Sequence, residues 1–421
     1  MNSRPEASAL RAVGAATVGN VLEWFDFIVY GYFAAIIAPQ FFPANKETTS
    51  LLAAFAAFGV GFIFRPLGAV VIGLISDKKG RKPALVLTMM LMASGMLMIG
   101  LVPSYDAIGV AAPIILLLAR LLQGFSIGGE WGASVVYLVE SAPEGKRGLY
   151  GSLQQATVIA GLLLGSGIAA ALATLLDPVT LQSWGWRVPF LVGAVLIAPV
   201  GFYMRRNIDE TKAHLQRAER TDAAGTSVPI AKTVHAFGIS VIWSVAAYIF
   251  LVYMPTFTEK YAGLSHAAAL WSNTSGLLLL MIAIPVCGLA SDHIGRKPLL
   301  LAACLAFIAL PFPLFRLVLE QASIGLTVMA QLLVGLAAAL YFGPGPAAIA
   351  ELFDGRTRTT GLSIGNGAAV PIFGGFAPFV ATWLIGETGS PIAPIYYVIA
   401  AAAVSALVIL GLRETAHRKL G

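Results

Sequence analysis

Twelve stretches of this chain are each long and apolar enough to cross the hydrocarbon core of a bilayer, which takes about 20 residues of helix. They run over 13–38, 51–76, 83–103, 109–138, 150–175, 187–205, 234–255, 268–290, 298–318, 324–349, 361–385 and 392–412. The runs are continuous and do not alternate, so they read as helices and not as strands of a barrel. Of the 421 residues only 11% are charged and 58% are hydrophobic. A soluble domain carries about 25% charged residues. A chain this size with so few charges cannot cover a water-facing surface. An ordinary cytosolic enzyme, a disordered protein and a nucleic-acid binder are thereby excluded, despite the net charge of +6. The expected class is an all-α polytopic membrane protein of twelve transmembrane helices.

Cys287 and Cys304 both sit in apolar stretches, which argues against a disulfide framework or a metal cluster. The first apolar stretch contains Glu23 and Asp26 and is followed by no small-residue cleavage site, so it reads as a retained first span.

Charge orients the spans. With the N-terminus placed in the cytoplasm, 21 of the 27 basic residues fall in cytoplasmic segments, while Lys46, Arg187, Lys260 and Arg316 face the other side. Positive charge in short loops stays inside, so both termini are expected in the cytoplasm and the membrane is expected to be a bacterial inner membrane.

The chain also repeats itself. The loop after span two reads GLISDKKGRKPAL from Gly73 to Leu85, and the loop after span eight reads GLASDHIGRKPLL from Gly288 to Leu300. Nine of thirteen positions match at an offset of 215. A second echo follows spans four and ten: Glu140 lies seven residues before Arg147, and Glu351 seven before Arg358. The expected organisation is therefore two pseudo-symmetric six-helix bundles, 1–205 and 233–421, joined by a solvated cytoplasmic linker at 206–232. Parallel halves of this kind form transporters, with the substrate at their interface near the midplane.

The loop string G-x-x-x-D-x-x-G-R-K resembles the signature of the major facilitator superfamily. The span-four string from Arg120 through Gln123, Gly124 and Glu130 to Gly132 is similar to the metabolite:proton symporter branch, as is the span-one string from Gly19 and Asn20 through Glu23 to Asp26. The resemblance covers nearly the whole chain. It implies the major facilitator fold and proton-coupled transport; members of that branch carry citrate, α-ketoglutarate, shikimate, or proline and betaine. It also implies a cytoplasmic gate. Helix N-termini attract carboxylates, and Asp77 would pair with the start of span eleven near Thr359 and Thr360. Arg81 and Arg147 would be its basic neighbours and Glu140 their acidic partner, with Gly80 making the turn. Asp292, Arg296, Glu351 and Arg358 are the second-half counterparts; the second loop departs from the first at His293 and Ile294. A topology signal with a turn at Gly80 is the plainer alternative.

Five ionisable residues lie inside spans away from their ends: Glu23, Asp26, Arg65, Arg120 and Glu130, all in the first half. Each costs about 2.5–3.5 kcal/mol at a helix centre, so each is a functional candidate. At 100° per residue, Asn20, Glu23, Tyr30 and Asp26 share one arc of span one of about 120°. Gln123 and Glu130 share a direction on span four, with Arg120 60° away. Arginine keeps its proton in a protein, so the acids Asp26, Glu130 and Glu23 are the candidate proton carriers. Arg120 and Arg65 are the candidate partners of a substrate carboxylate, which fits a guanidinium fork. Permanent salt bridges that fix helix packing are the alternative. Asn20, Tyr30, Gln123, Tyr253, Asn366 and Gln331 are candidate neutral contacts, together with Tyr248, Asn273 and Tyr341. Glycines four apart, at 124/128/132, 161/165 and 361/365, mark close helix packing, and the Gly343–Pro346 cluster marks a bend in span ten.

The expected function is proton-coupled symport of a small organic anion, a mono-, di- or tricarboxylate, by alternating access. The partners are that anion, protons and the lipid bilayer, with no nucleic acid. The protein is expected to act as a monomer with no cofactor, the proton gradient being the energy source. No phosphate-binding G-x-x-x-x-G-K-[ST] loop is present. The five histidines, His214, His235, His266, His293 and His417, have no metal-ligand spacing, so an enzyme is not expected. Symport of a zwitterion such as proline or betaine is the first alternative. A non-transporting nutrient receptor is the second, but it would need a larger soluble domain than the loops and tails supply.

Overall fold

The computed structural model describes residues 19–79, 81–127, 130–195, 228–418 and 420, without the side chains of 76–79, 81, 82, 85 and 130. The expected linker therefore lies almost wholly outside the described residues. Among the described residues there are helices and no strands.

Among the described residues, nine helices are long and apolar enough to cross a membrane, and a tenth crossing is the pair Gly19–Tyr32 and Ala34–Phe41, bent by 62°. This bent pair is span one. Span two is Glu47–Ile75, span four Ala111–Glu140 and span five Arg147–Leu175. Spans seven to twelve are Ile230–Ala262, His266–Ile294, Arg296–Gln321, Ile324–Ala350, Arg358–Thr388 and Pro394–Gly411. Span three is Arg81–Leu101. The apolar helix Gly185–Val195 begins span six and runs to the end of the described segment. Together these are the twelve helices of the major facilitator fold. Large apolar side chains such as Leu101, Ile282, Leu305 and Leu407 are exposed on the outer surface, where lipid replaces water as the solvent.

Small residues set how closely the spans approach. Gly124 of span four lies so tightly against the Gly61 backbone of span two that a Cβ could not fit, and Gly68 is as close to the Phe125 backbone. Lipid supplies little driving force between helices, so backbone proximity and van der Waals contact hold them. Gly161 of span five lies against the Val21 backbone of span one in the same way, and Gly165 packs less tightly on the Ile28 side chain.

Prolines supply the irregular turns. Pro255 has no N–H, so the carbonyl of Leu251 one turn earlier loses its helical donor. Span seven widens into a π-helical turn over Ile249–Tyr253 at this place. The freed Leu251 carbonyl accepts from Tyr32 Oη of span one at 3.0 Å and from Asn273 Nδ2 of span eight at 3.2 Å. A second π-helical turn, Val370–Gly375, follows Ala369 in span eleven and contains Pro371. Span ten breaks between Phe342 and Gly345, where the Gly343–Pro346 cluster marked a bend. There Gly343 packs on the span-eight backbone and Gly345 on the Trp243 ring.

Candidate functional site

A cavity of about 630 Å³ lies between spans one, two, four and five on one side and spans seven and eleven on the other. Its charged lining residues, among those described, are Glu23 and Arg65. Asn20, Gln155, Ser244, Tyr248 and Asn366 add polar atoms, and Trp24, Trp131 and Trp243 add aromatic faces. The cavity reaches Thr359 and Thr360 at the start of span eleven, which is the end of the bundle that carries both loop motifs. Gly367 also lines the cavity, and among the described residues a Cβ there would meet nothing beyond its own helix within 4 Å.

Arg65 opens the helical segment Arg65–Lys79 of span two, which Phe64 separates from Glu47–Ile63. Its guanidinium carbon stands 4.2 Å from the Phe62 ring centroid, 4.7 Å from that of Phe27 and 5.3 Å from that of Trp24. Aromatic faces hold a cation by about 0.5–2 kcal/mol each without consuming its N–H donors. The Nε and Nη2 atoms of Arg65 have no hydrogen-bond partner among the described residues, and neither has Tyr248 Oη. Arg65 is therefore a cavity-wall guanidinium whose Nε and Nη2, buried in this arrangement, keep the donors that grip a carboxylate with two parallel bonds.

Asp26 and Arg120 lie elsewhere. Both are fully buried and neither lines the cavity. Gln123 joins them: its Nε2 donates to Asp26 Oδ1 at 2.5 Å, and its Oε1 accepts from Arg120 Nη1 at 2.9 Å. Arg120 Nη1 also donates to the carbonyl of Phe27 at 3.2 Å. Asp26 Oδ2 and Arg120 Nε and Nη2 are left without partners among the described residues. The Arg120 guanidinium carbon stands 4.2 Å from the Phe27 centroid, so Phe27 touches both intramembrane arginines.

The shared polar arc of span one thus divides. Asn20 and Glu23 face the cavity, with Asn20 Nδ2 donating to Thr157 Oγ1 at 2.6 Å. Tyr30 is buried and donates to the Ala54 carbonyl at 3.1 Å. A helical wheel gives direction about one axis; which neighbour or void that direction meets depends on the packing. Of the neutral candidates in the second half, Asn366 and Tyr248 line the cavity. Asn366 Nδ2 donates to Ser240 Oγ at 3.1 Å. Tyr253, Gln331, Asn273 and Tyr341 do not line it. Tyr253 packs on Phe55, Gln331 on Gly276 of span eight, and Tyr341 donates to the Ile239 carbonyl at 2.7 Å. The side chains of Glu130, Asp77 and Arg81, and Gly80 entirely, lie outside the described residues.

The remaining gate candidates meet at the loop-motif end. Asp292 accepts from the backbone N–H of Gly148 at 2.8 Å and of Leu149 at 3.0 Å, capping the start of span five. Arg296 pairs with Asp292 at 2.8 Å and with Glu351 at 3.3 Å. Glu351 also pairs with Arg147 at 3.0 Å, and Arg358 pairs with Glu140 at 2.6 Å. Spans four and five are thereby bolted to spans eight, ten and eleven. The polypeptide after span twelve joins the cluster. Thr415 Oγ1 donates to Glu351 at 2.5 Å, and Arg147 donates to the carbonyls of Ala416 and Arg418. Glu414 takes the backbone N–H groups of Arg296 and Lys297, both at 2.9 Å, and so caps span nine.

Sequence reasoning passed over Phe27, Phe62, Trp131, Trp243, Glu414 and Thr415. An aromatic residue in a span is apolar whether it faces lipid, core or cavity, so periodicity carried no signal. The four residues from Arg413 to Ala416 lie too far from Glu351 in sequence for any local motif to join them.

A profile described as sugar (and other) transporter matches residues 12–236, and one described as major facilitator superfamily matches 261–420. A citrate–proton symporter of Klebsiella pneumoniae is 37% identical over 400 residues, 92% of this chain and 88% of the relative. A glycine betaine/proline/ectoine/pipecolic acid transporter of Dickeya dadantii is 34% identical over 431 residues, 97% of this chain and 84% of the relative. The crystal structure of a D-xylose–proton symporter superposes with a TM-score of 0.80 at 18% identity, over 98% of this chain and 99% of the other. The profiles, the relatives and the twelve-helix architecture converge: this chain belongs to the major facilitator superfamily, in its metabolite:proton symporter branch, and is a multi-pass membrane transporter and not an enzyme.

Proposed function

We propose that this transporter carries a small organic anion bearing a carboxylate together with protons, by alternating access. The observation that carries this reading is the unpartnered Nε/Nη2 edge of Arg65, held by three aromatic rings at the wall of a cavity between the two sets of spans. A buried guanidinium with two free donors is costly unless an acceptor arrives, and a carboxylate supplies two at the right spacing. Tyr248 also lines the cavity, and its Oη has no partner among the described residues, so it is a candidate second donor once the wall opens. The relatives' citrate–proton symport accords with this chemistry.

Asp26 is assigned the coupled proton. Protonated, it keeps its bond from Gln123 and leaves the open edge of Arg120 alone. Ionised, its Oδ2 has that edge to turn to. One acid therefore changes partners without rearranging the helices around it. Glu23, in the cavity wall, is the entry acid. The halves 1–205 and 233–421 rock about this site, and the Glu351–Arg147 cluster opens and closes the loop-motif end. That end is assigned to the cytoplasm of a bacterial inner membrane, with both termini inside, because 21 of 27 basic residues then lie inside. The monomer is taken as the functional unit, with no cofactor.

A second reading has its own observation. Glu23 and the rings of Trp24, Trp131 and Trp243 share the cavity with Arg65, and aromatic faces hold quaternary ammonium groups. A betaine would satisfy both signs, as the substrate of the Dickeya relative does. A thermal-shift screen of purified protein against carboxylates, amino acids and betaines separates the two. Uptake of the best ligand into proteoliposomes, with and without an imposed pH gradient, follows. Stabilisation by quaternary amines alone replaces the anion with a zwitterion. Uptake indifferent to the gradient removes symport.

A further inference from the structure

Phe27 stands between two cations that belong to different compartments. Arg65 lines the cavity and Arg120 does not, yet both guanidinium carbons lie against the Phe27 ring, at 4.7 and 4.2 Å from its centroid. The ring is fully buried, packed edge-on against Phe62 at 4.5 Å and tilted against Phe58 at 5.5 Å. Behind it, Asp26, Gln123 and Arg120 form a closed polar chain. Among the described residues, Phe27 is the ring that both guanidinium groups share.

The atoms around the ring make its removal consequential. Arg65 Nε and Nη2, Arg120 Nε and Nη2, and Asp26 Oδ2 are buried without a partner among the described residues. Buried space stays dry when its lining is apolar and fills with water when each molecule finds two to four polar partners. The fully buried ring fills the place between them. Without it, water would meet four donor nitrogens and a carboxyl oxygen.

We propose that Phe27 is the septum that keeps the Asp26–Gln123–Arg120 chain dry while the cavity is open, so that a proton does not pass between Asp26 and the cavity unless the helices move. It is a positioning residue for coupling: it carries no proton and binds no substrate carboxylate. A site that exchanged protons freely with the open side at every stage would dissipate the gradient that drives accumulation. The two arginines themselves repel protons, but they do not exclude water, as the apolar ring between them does. This proposal rests on Asp26 as the proton carrier.

The test uses full-length protein in liposomes containing a pH-sensitive dye, with an imposed pH gradient and no substrate. Wild type and Phe27→Leu, which retains an apolar plug, are expected to hold the gradient. Phe27→Val is expected to leak slowly and Phe27→Ala roughly tenfold faster than wild type or more. Adding Asp26→Asn to Phe27→Ala is expected to restore tightness, which a merely loosened fold would not do. Substrate counterflow in each variant reports a folded, moving protein. A Phe27→Ala protein that performs counterflow and stays proton-tight overturns the proposal, as does a leak equal in the Leu, Val and Ala variants. Wild type supplies a second measurement if the small variants do not fold. The Asp26 carboxyl band in an infrared difference spectrum is expected to shift in D2O later than that of Glu23; simultaneous shifts overturn the septum. If wild type moves no protons when substrate is added, the symport reading falls instead, and the two failures are distinct.

Discussion

Gln123 holds Asp26 and Arg120 at one remove from each other, its amide nitrogen donating to the acid at 2.5 Å and its amide oxygen accepting from the base at 2.9 Å. Acid and arginine make no direct ion pair among the described residues, although each has an unpartnered atom. An amide carries donor and acceptor on separate atoms, so it can serve a carboxylate with one and a guanidinium with the other. A permanent ion pair would have locked the two; a bridged pair can change state.

Asp26→Asn separates transport from coupling. The asparagine Oδ1 still accepts from Gln123, so the helices keep their contacts. Gradient-driven accumulation is expected to fall to the level of equilibration, while counterflow of labelled against unlabelled substrate continues. Accumulation at the wild-type level in Asp26→Asn would remove this residue as carrier.

Arg65→Ala is expected to weaken carboxylate binding by roughly 10- to 150-fold, the equivalent of one charge-assisted contact worth about 1.5–3 kcal/mol. Arg65→Lys keeps the charge but not the fork, and should recover only part of the loss. Isothermal titration of the best carboxylate ligand measures both. Equal affinity across wild type, Lys and Ala would move the substrate away from this wall.

Glu351→Gln strips one acid from Arg147 and Arg296 together. Breaking a buried pair by removing one partner costs about 3–5 kcal/mol. Most of that is expected to fall on the state closed at the loop-motif end. In a background lacking Cys287 and Cys304, a cysteine at Ser152, which packs against Gly288 of span eight, should then be alkylated faster than in the unmutated parent. An unchanged rate would mean that the cluster does not hold that end shut.

Glu414 ties the segment after span twelve to the start of span nine, and its titration gives that tie an acid limit. Burial alone would raise its carboxyl, but the N–H groups of Ala416, Arg296, Lys297 and Thr415 together outweigh burial and hold it below its ordinary 4.5. A lowered acid contributes stability above its ordinary value and loses it as pH falls through the lowered one. Docking of residues 412–418 should therefore persist at pH 5 and release only below about 4.5. Cleavage after Arg413 by an acid-tolerant protease, followed against pH, reads this out. Glu414→Gln should be cut at neutral pH as well; resistance there would show that the tie lies elsewhere.

Gly124→Val places a branched side chain against the Gly61 backbone, where not even a Cβ fits. Overpacking of a close contact costs about 1–3 kcal/mol or more. The expected result is a lower melting temperature in detergent than that of Gly367→Ala, which has open space around it. Equal melting temperatures would refute the close approach of spans two and four.

Much of this protein is legible without coordinates. The twelve spans follow from length and apolarity, because a bilayer leaves a chain few ways to satisfy its backbone. The echo of Glu140/Arg147 in Glu351/Arg358 marked these four residues but not their pairing: Glu140 was expected to partner Arg147, whereas the packing of the two halves crosses the pairs, Glu140 with Arg358 and Arg147 with Glu351. The site was legible in kind but not in arrangement. Arg65 and Arg120 were equivalent in the sequence, each a lone arginine deep in a span, but the packing gives one to the cavity and closes the other behind Phe27. Asn20, Glu23, Asp26 and Tyr30 shared one arc, yet the first two meet open space and the last two meet other helices.

The sequence by itself determined what each side chain costs in lipid, how many times the chain crosses, and which residue types must be shielded there. Only the tertiary structure decided who shields whom. Contacts such as Tyr32 Oη on the Leu251 carbonyl, or Thr415 on Glu351, join residues far apart in the chain through a geometry that depends on every helix tilt at once. Transfer free energies are properties of single residues and can be read one position at a time, whereas a cavity wall is a property of all the helices that surround it.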